Sequence, residues 1–249
     1  MIGSLKTIAE GIAVSLLPWE YDDMVHIGKD FANREVVKEY DARHRRLRDV
    51  RKENEAVIAA LGLGEDHVVA DIGCGTGAFV LMAARRCAKV FAVDISTVML
   101  DYTRDRAERE GIGNIVYRRG GFLTYRHEGE PLDAVSTSLA LHHLPDFWKQ
   151  KALNRMNAML KDGGRLYLMD VVFSDEDCEK NIPAWIEKVR AEAGQDIAED
   201  LMSHIRNEHS TFTWIMEGLL ERAGFRIDDS VLSDGALARY FCTKTSRRE

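Results

Sequence analysis

Gly73, Gly75 and Gly77 stand at alternating positions after the apolar run Val68-Val-Ala-Asp-Ile72, and a helix-compatible stretch begins at Ala78. A strand that passes through a bare-backbone turn into a helix lets a ligand approach the main chain closely. With Ala78 the spacing also satisfies G-x-G-x-x-G/A, and Asp94 ends the next strand about 20 residues on, where a carboxylate suits the hydroxyls of a ribose. The chemistry implied is retention of an adenosine-containing cofactor. Asp71, just before the loop, would repel a pyrophosphate and suits a cationic amino group. Proton-handling candidates are fewer. Asp170 closes a strand near the expected cleft, and His142 and His143 follow another, with His143 expected on the packing side. His204 and His209 lie in or after a charged segment, and Tyr21, Tyr40, His44, Trp185 and His209 could face a substrate if the flanking segments fold over the cleft.

Elements that hold these residues follow from the periodicity. Leu47, Val50, Val57, Ile58 and Leu61 fall on one helical stripe that Gly62 and Gly64 end. His67–Ile72 is apolar on both faces, as in a parallel sheet covered on both sides. Ala78–Cys87 reads as a helix, Lys89–Val93 as a strand, and Ser96 caps a helix that runs to about Glu110. Asn114–Tyr117 and Leu132–Thr137 are further strands, Phe147–Leu160 is a helix, and Arg165–Phe173 is a fifth strand after the turn at 162–164. Alternation of strand and helix implies right-handed crossovers and one doubly wound α/β sheet. Trp214–Ala223 is a helix stopped by Gly224, and Phe225–Leu232 and Ala238–Thr243 flank a turn at 233–235, so the sheet ends in an antiparallel hairpin. Residues 1–46 and about 174–210 stand outside this rhythm and are expected to be helical caps above the carboxyl ends of the strands.

Composition narrows the class. A chain of 249 residues with 45% hydrophobic residues and a formal charge of −7 can bury a full core and has no overall attraction for nucleic acid or anionic membrane. Its apolar stretches, such as Ile8–Leu17, are too short to span a bilayer, and no secretory signal is apparent, which points to the cytoplasm. The four cysteines form no C-x-x-C pair, and no metal-ligating pattern stands out. Arg43, Arg45, Arg46, Arg48, Arg51 and Lys52 could neutralise phosphates, but the interleaved Glu39, Asp41, Asp49, Glu53 and Glu55 favour i, i+4 pairing on a solvated helix.

The motifs taken together resemble those of class I S-adenosylmethionine-dependent methyltransferases. Asp71-Ile-Gly-Cys-Gly-Thr-Gly77 looks like their first motif and Val93-Asp94-Ile95-Ser96 like the acidic end of their second strand. Leu139-Ala-Leu-His-His-Leu-Pro145 looks like the segment after their fourth strand, and Leu160-Lys-Asp-Gly-Gly-Arg-Leu166 like the turn into their fifth. The resemblance implies a Rossmann-like, seven-stranded, mainly parallel sheet over 47–249 with a helical lid insertion at about 174–210. It implies S-adenosyl-L-methionine as cofactor and a small-molecule acceptor, as in quinone and sterol biosynthesis. It implies that Gly73, Gly75 and Gly77, with Cys74 among them, wrap the methionine part, that Asp71 anchors the loop or the amino group, and that Asp94 takes the ribose hydroxyls. Ile95 and Met99 would lie against the adenine and Leu139 near the sulfonium. Gly121-Phe122 falls where many relatives carry an Asp that holds the adenine amine, so Phe122 would substitute by stacking.

Methyl transfer needs alignment first, and a base only if the acceptor must lose a proton. Asp170 and His142 are the catalytic candidates. The segment after the fourth strand lacks the Asn-Pro-Pro-aromatic pattern of amino-methylating nucleic-acid enzymes, and no Pro-Cys nucleophile is present. Three other readings stay open: an RNA or protein methyltransferase, a nicotinamide-dependent oxidoreductase, and a catalytically silent cofactor-binding regulatory protein. The acceptor atom and the oligomeric state, a homodimer included, are not fixed by the sequence.

Overall fold

A computed structural model describes residues 18–25, 31 and 33–245. Its centre is a sheet of order β3-β2-β1-β4-β5-β8-β7, with β6 paired to β5 off this path. The strands are β1 (Val68–Ile72), β2 (Lys89–Asp94), β3 (Ile115–Arg119), β4 (Leu132–Ser138), β5 (Leu160–Phe173), β6 (Thr211–Phe212), β7 (Phe225–Ser233) and β8 (Leu237–Lys244). β1 to β5 pair in parallel, and β8 runs antiparallel to both β5 and β7. This is the doubly wound α/β arrangement with a terminal hairpin that the sequence implies.

Each face of the sheet buries its own cluster. Ala70, Ile72, Val93, Val135, Leu166 and Leu168 pack with Leu153 and Met156 of α5 (Asp146–Met159) and Met216 and Leu220 of α8 (Thr213–Arg222). The alternate residues Val69, Val90, Ala92 and Ala134 pack with Val57 of α2 (Val50–Ala60), Phe79, Val80 and Ala83 of α3 (Ala78–Ala84) and Leu100 of α4 (Thr97–Arg109). Burying one such aliphatic side chain contributes roughly 1.5–3 kcal/mol, so the period-two alternation along each strand fixes which helices cover which face.

Local boundaries depart from the sequence expectation where tertiary pairing decides. Helix α3 stops at Ala84, short of Cys87, because Asn114 Nδ2 donates to the carbonyls of Ala84 and Cys87 at 2.8 Å and ties the chain down there. Strand β5 begins at Leu160, not Arg165, because Leu160 pairs with Leu132 before a register shift and the ladder resumes at Arg165 opposite Ala134. The cap of α4 is as expected, with Met99 N donating to Ser96 Oγ at 3.2 Å.

The segment after β5 forms α6 (Cys178–Ala193) and α7 (Gln195–Asn207), and α1 (Arg34–His44) precedes the core. The rest of the 1–46 cap expectation falls partly on residues 1–17, 26–30 and 32, outside the described ones. Arg43 pairs with Asp196 at 3.2 Å and with Asp200, and Arg46 pairs with Asp196 at 3.0 Å, so the basic end of α1 is tied to α7. Of the expected i, i+4 pairs in this basic stretch, Arg51 with Glu55 at 3.0 Å is formed, whereas Arg43 and Arg46 reach a different element. The four cysteines are free. Among the described residues no helix is long and apolar enough to cross a membrane.

Candidate active site

β1 is flanked by β2 on one side and β4 on the other, and the chain leaves these strands in opposite directions across the sheet. Such a switch point opens a crevice at the carboxyl ends of the strands. Here it is bordered by the glycine loop after Ile72 and by Leu139 after β4. Main-chain bonds stitch the loop to β2: Gly73 N and Cys74 N donate to Val93 O at 2.9 and 3.0 Å. Asp94 completes the stitch, with Gly75 N donating to Oδ2 at 2.9 Å and Ser96 N to Oδ1 at 2.8 Å.

The glycines are not equivalent. Among the described residues, a Cβ on Gly75 would have only Tyr40 Cε1 near it, at 4.0 Å, so its bare main chain is open to a ligand on that side. A Cβ on Gly77 would run into the side chain of Thr103, so Gly77 lets α3 and α4 approach and borders neither cavity described below.

Two cavities meet at this loop. The smaller, of about 100 Å³, is lined by Gly73, Gly75, Asp94, Ile95 and Met99 on one side. Gly121, Phe122, Leu139, Tyr21 and Tyr40 close the other. The larger, of about 620 Å³, takes in Asp71, Cys74, Tyr40, His44, Arg48 and Met169. Every cofactor-side residue expected from the sequence except Gly77 therefore borders one of the two. Burial pushes the Asp71 carboxyl up to about 7; the polar Ser136 hydroxyl opposes this and the nearby Asp94 adds to it. Tyr40 is likewise raised to about 12, chiefly by burial.

The sequence reading missed Asp23. Its Oδ2 accepts from Leu123 N at 2.6 Å and occupies the space that a Cβ on Gly121 would need. Its Oδ1 is buried without a hydrogen-bond partner among the described residues, at the wall of the smaller cavity. Burial raises the Asp23 pKa, with the Leu123 and Thr124 hydrogen bonds opposing. Gly121 thus departs from the family pattern because another carboxylate is already there, delivered by the segment before α1. Tyr21 holds that segment in place: its hydroxyl donates to His143 O at 3.0 Å, and its ring lies 6.2 Å from Trp148.

The catalytic candidates sit elsewhere than expected. Asp170 is 1% exposed and borders neither cavity. Its oxygens accept from His142 N and Val171 N, both at 2.8 Å, and face His142 Nδ1. His142 is equally enclosed, with Nε2 3.0 Å from Glu208 Oε2. Burial opposes its charge, but Asp170 and Glu208 outweigh burial and raise the imidazole to about 9. His143, expected on the packing side, is instead the histidine of this pair that lines the smaller cavity. The three-residue helical turn at Leu141–His143 reverses the assignment, because Asp170 captures His142 and leaves His143 to point at the crevice. Burial and the neighbouring His142 lower His143 to about 4.

Trp185 packs with Val189 and Ile197 between α6 and α7 and against Val171 and Phe173, away from both cavities. His209 is used through its backbone, N donating to His142 O at 2.8 Å and O accepting from Lys149 Nζ. Tyr21, Tyr40 and His44 are the substrate-side residues that do line the cavities. The sequence shows no metal-ligating pattern, yet the fold gathers His142, His204 and Glu208 with donor atoms within 4.8 Å of one another. His204 and Glu208 stand four residues apart, but His142 comes from the turn after β4, and that meeting no local spacing shows.

Residues 69–164 match the family model of a methyltransferase domain. An uncharacterized methyltransferase of Geobacillus kaustophilus is 28% identical over 189 residues, covering 76% of this chain and 81% of its own length. The crystal structure of an S-adenosylmethionine-dependent methyltransferase from Aquifex aeolicus superposes with a TM-score of 0.61 at 18% identity, covering 86% of this chain and 99% of that one. A geranyl diphosphate methyltransferase in complex with its namesake diphosphate and sinefungin also reaches a TM-score of 0.61, at 15% identity, covering 78% of this chain and 80% of the other. The glycine loop after β1, the acid closing β2, the strand order and these likenesses agree: residues 69–164 are similar to a methyltransferase domain, and the chain has the fold of the S-adenosylmethionine-dependent methyltransferases.

Proposed function

We propose that this protein binds S-adenosyl-L-methionine across the two cavities and transfers its methyl group to a small-molecule acceptor. The observation that carries the reading is the open approach to Gly75, bounded by Asp94 on one side and Tyr40 on the other. Adenosine would occupy the smaller cavity, with Asp94 accepting the ribose hydroxyls and Ile95, Met99 and Phe122 enclosing the base. The methionine part would cross the bare main chain of Gly73 and Gly75 towards Asp71, whose carboxylate suits the cationic amino group. The cofactor supplies an electrophilic methyl on a sulfonium, and the protein's work is alignment and exclusion of water.

The acceptor would enter the larger cavity, where Tyr40, His44, Arg48, Tyr167 and Met169 supply a mixed polar and apolar lining. His44 is the imidazole that faces this space, its ring centroid 4.1 Å from that of Tyr40, and could take a proton from a protic acceptor. Asp170 and His142 serve the reaction only indirectly, by fixing the turn that carries Leu139 and His143. Calorimetry with S-adenosylhomocysteine, followed by a screen of metabolite extracts with methyl-labelled cofactor, tests the reading. Absence of cofactor binding would overturn it. Label appearing only in RNA or protein would overturn the acceptor class.

Asp94→Ala is expected to cost roughly 1.5–3 kcal/mol of cofactor affinity, the range for a hydrogen bond to a charged group. Because Asp94 also holds Gly75 N and Ser96 N, Asp94→Asn should lose less than the alanine variant. Equal calorimetric affinity in wild type and Asp94→Ala would remove the residue from the site.

Asp23 is expected to accept the adenine amine through its unpartnered Oδ1. Asp23→Ala should weaken S-adenosylhomocysteine binding about tenfold, the loss of roughly 1.4 kcal/mol. The inosine analogue, which lacks that amine, should bind the variant and the wild type alike. Adding Gly121→Asp to Asp23→Ala returns a carboxylate to the same space and should recover most of the loss. No recovery, together with equal losses for both ligands, would leave Asp23 a packing residue.

A further inference from the structure

His142, His204 and Glu208 border neither cavity, and the methyl-transfer reading gives His204 and Glu208 no task and leaves the Nε2 side of His142 unused. We propose that they form a binding site for a divalent transition-metal ion of the zinc class, independent of the cofactor site. Glu208 Oε2 lies 3.0 Å from His142 Nε2 and 2.9 Å from His204 Nδ1. Ligands about 2.0–2.1 Å from a tetrahedral zinc ion are separated from each other by roughly 3.3 Å, so the two carboxylate–imidazole separations would widen by a few tenths of an ångström, and all three donor atoms already lie within 4.8 Å of one another. The ligand set of two imidazoles and one carboxylate suits that ion.

Each imidazole is also held from behind. His142 Nδ1 faces Asp170, which holds the proton on that nitrogen, so Nε2 is the atom that would give up its proton and turn its lone pair to the ion. His204 Nε2 is 2.8 Å from Ser210 Oγ, which leaves Nδ1 as the ligand. A metal-bound histidine has this pairing on its far nitrogen, and a simple carboxylate–imidazole contact does not require it. A third imidazole converges on the same oxygen. His143 Nδ1 is buried without a hydrogen-bond partner among the described residues and lies 3.5 Å from Glu208 Oε2. The His143 and His204 rings are each centred 4.4 Å from that of His142.

His204 lies in α7 and Glu208 just beyond its end, while His142 sits in the turn after β4. The ion would therefore pin the end of the 174–210 insertion to the turn carrying Leu139 and His143, and its main effect would be on order and stability.

The full chain, freed of metal with a chelator, is titrated with Zn²⁺ by calorimetry, and with Co²⁺ while visible absorption is followed. One ion per chain is expected, with a Kd of about 10 µM or tighter and a rise in Tm on binding. The Co²⁺ absorption should have the intensity of a tetrahedral nitrogen- and oxygen-ligated ion. His204→Ala and the isosteric Glu208→Gln should each weaken Zn²⁺ binding at least about tenfold, the lower end of what loss of even an outer-shell partner does. Both should keep the affinity for S-adenosylhomocysteine, which separates this site from the cofactor reading and shows that the variants are folded. No saturable Zn²⁺ binding, or binding that Glu208→Gln leaves unchanged, overturns the proposal.

Discussion

Replacing Gly75 with valine is expected to reduce S-adenosylhomocysteine affinity by at least about 100-fold, equivalent to roughly 2.7 kcal/mol, while the protein remains folded. The two halves of this expectation have separate causes. Gly75 has φ +54, a region a β-branched residue reaches only with strain of about 1–2 kcal/mol, so Tm should fall modestly. Among the described residues the added Cβ meets nothing closer than Tyr40 Cε1 at 4.0 Å, so the substitution points away from the core. It would instead fill the space through which the cofactor touches the main chain. Gly77→Ala is the contrasting variant. Its Cβ collides with Thr103, a fully buried residue of α4, so stability should drop by overpacking, typically about 1–3 kcal/mol, before binding is affected. Calorimetry with circular dichroism and thermal melting distinguishes the two. Binding by Gly75→Val within threefold of wild type would mean that the ligand does not approach this loop.

Asp170→Ala is expected to destabilise the fold by about 3–5 kcal/mol in urea denaturation with chelator present, the cost of removing one partner from a buried ion pair. The carboxylate is 1% exposed and receives His142 N, Val171 N and the His142 ring. Its loss leaves these donors in a region water does not reach. His142 stays paired with Glu208, so some of the charge remains compensated and the lower half of the range is the expected outcome. Asp170→Asn keeps the volume and one acceptor, and should cost less. A loss below about 1 kcal/mol for the alanine variant would show that the turn after β4 does not depend on this contact. Cofactor affinity should weaken along with stability, because Leu139 and His143 ride on that turn.

Much of the fold could be read from short windows. The strand at Val68–Ile72, the Ser96 cap and the helix stop at Gly224 depend on residues within one or two turns of each other, and their types decide the outcome. The strand–turn–helix around the glycine loop and the acid closing β2 were legible for the same reason, since alternating glycines after an apolar run and an acid at a strand end are local features. Errors gathered where a residue's direction depends on a distant partner. His142 and His143 are adjacent, and nothing local says which one turns inwards. Asp170 on β5 settles it.

Asp23 is the clearest case. It lies 100 residues from Leu123, its hydrogen-bond partner, and the sequence showed only the other half of the relation, a glycine where the family pattern has an acid. The ion pairs between α1 and α7, and the meeting of His142 with His204 and Glu208, have the same character. The chain's own pattern determined the sheet, its helices and the glycine loop, because hydrogen-bond geometry and side-chain periodicity act over a few residues. Which acid lies against Gly121, and which histidine joins His204 and Glu208, was decided only when the crossovers brought remote segments together, because burial and pairing depend on neighbours that no local spacing encodes.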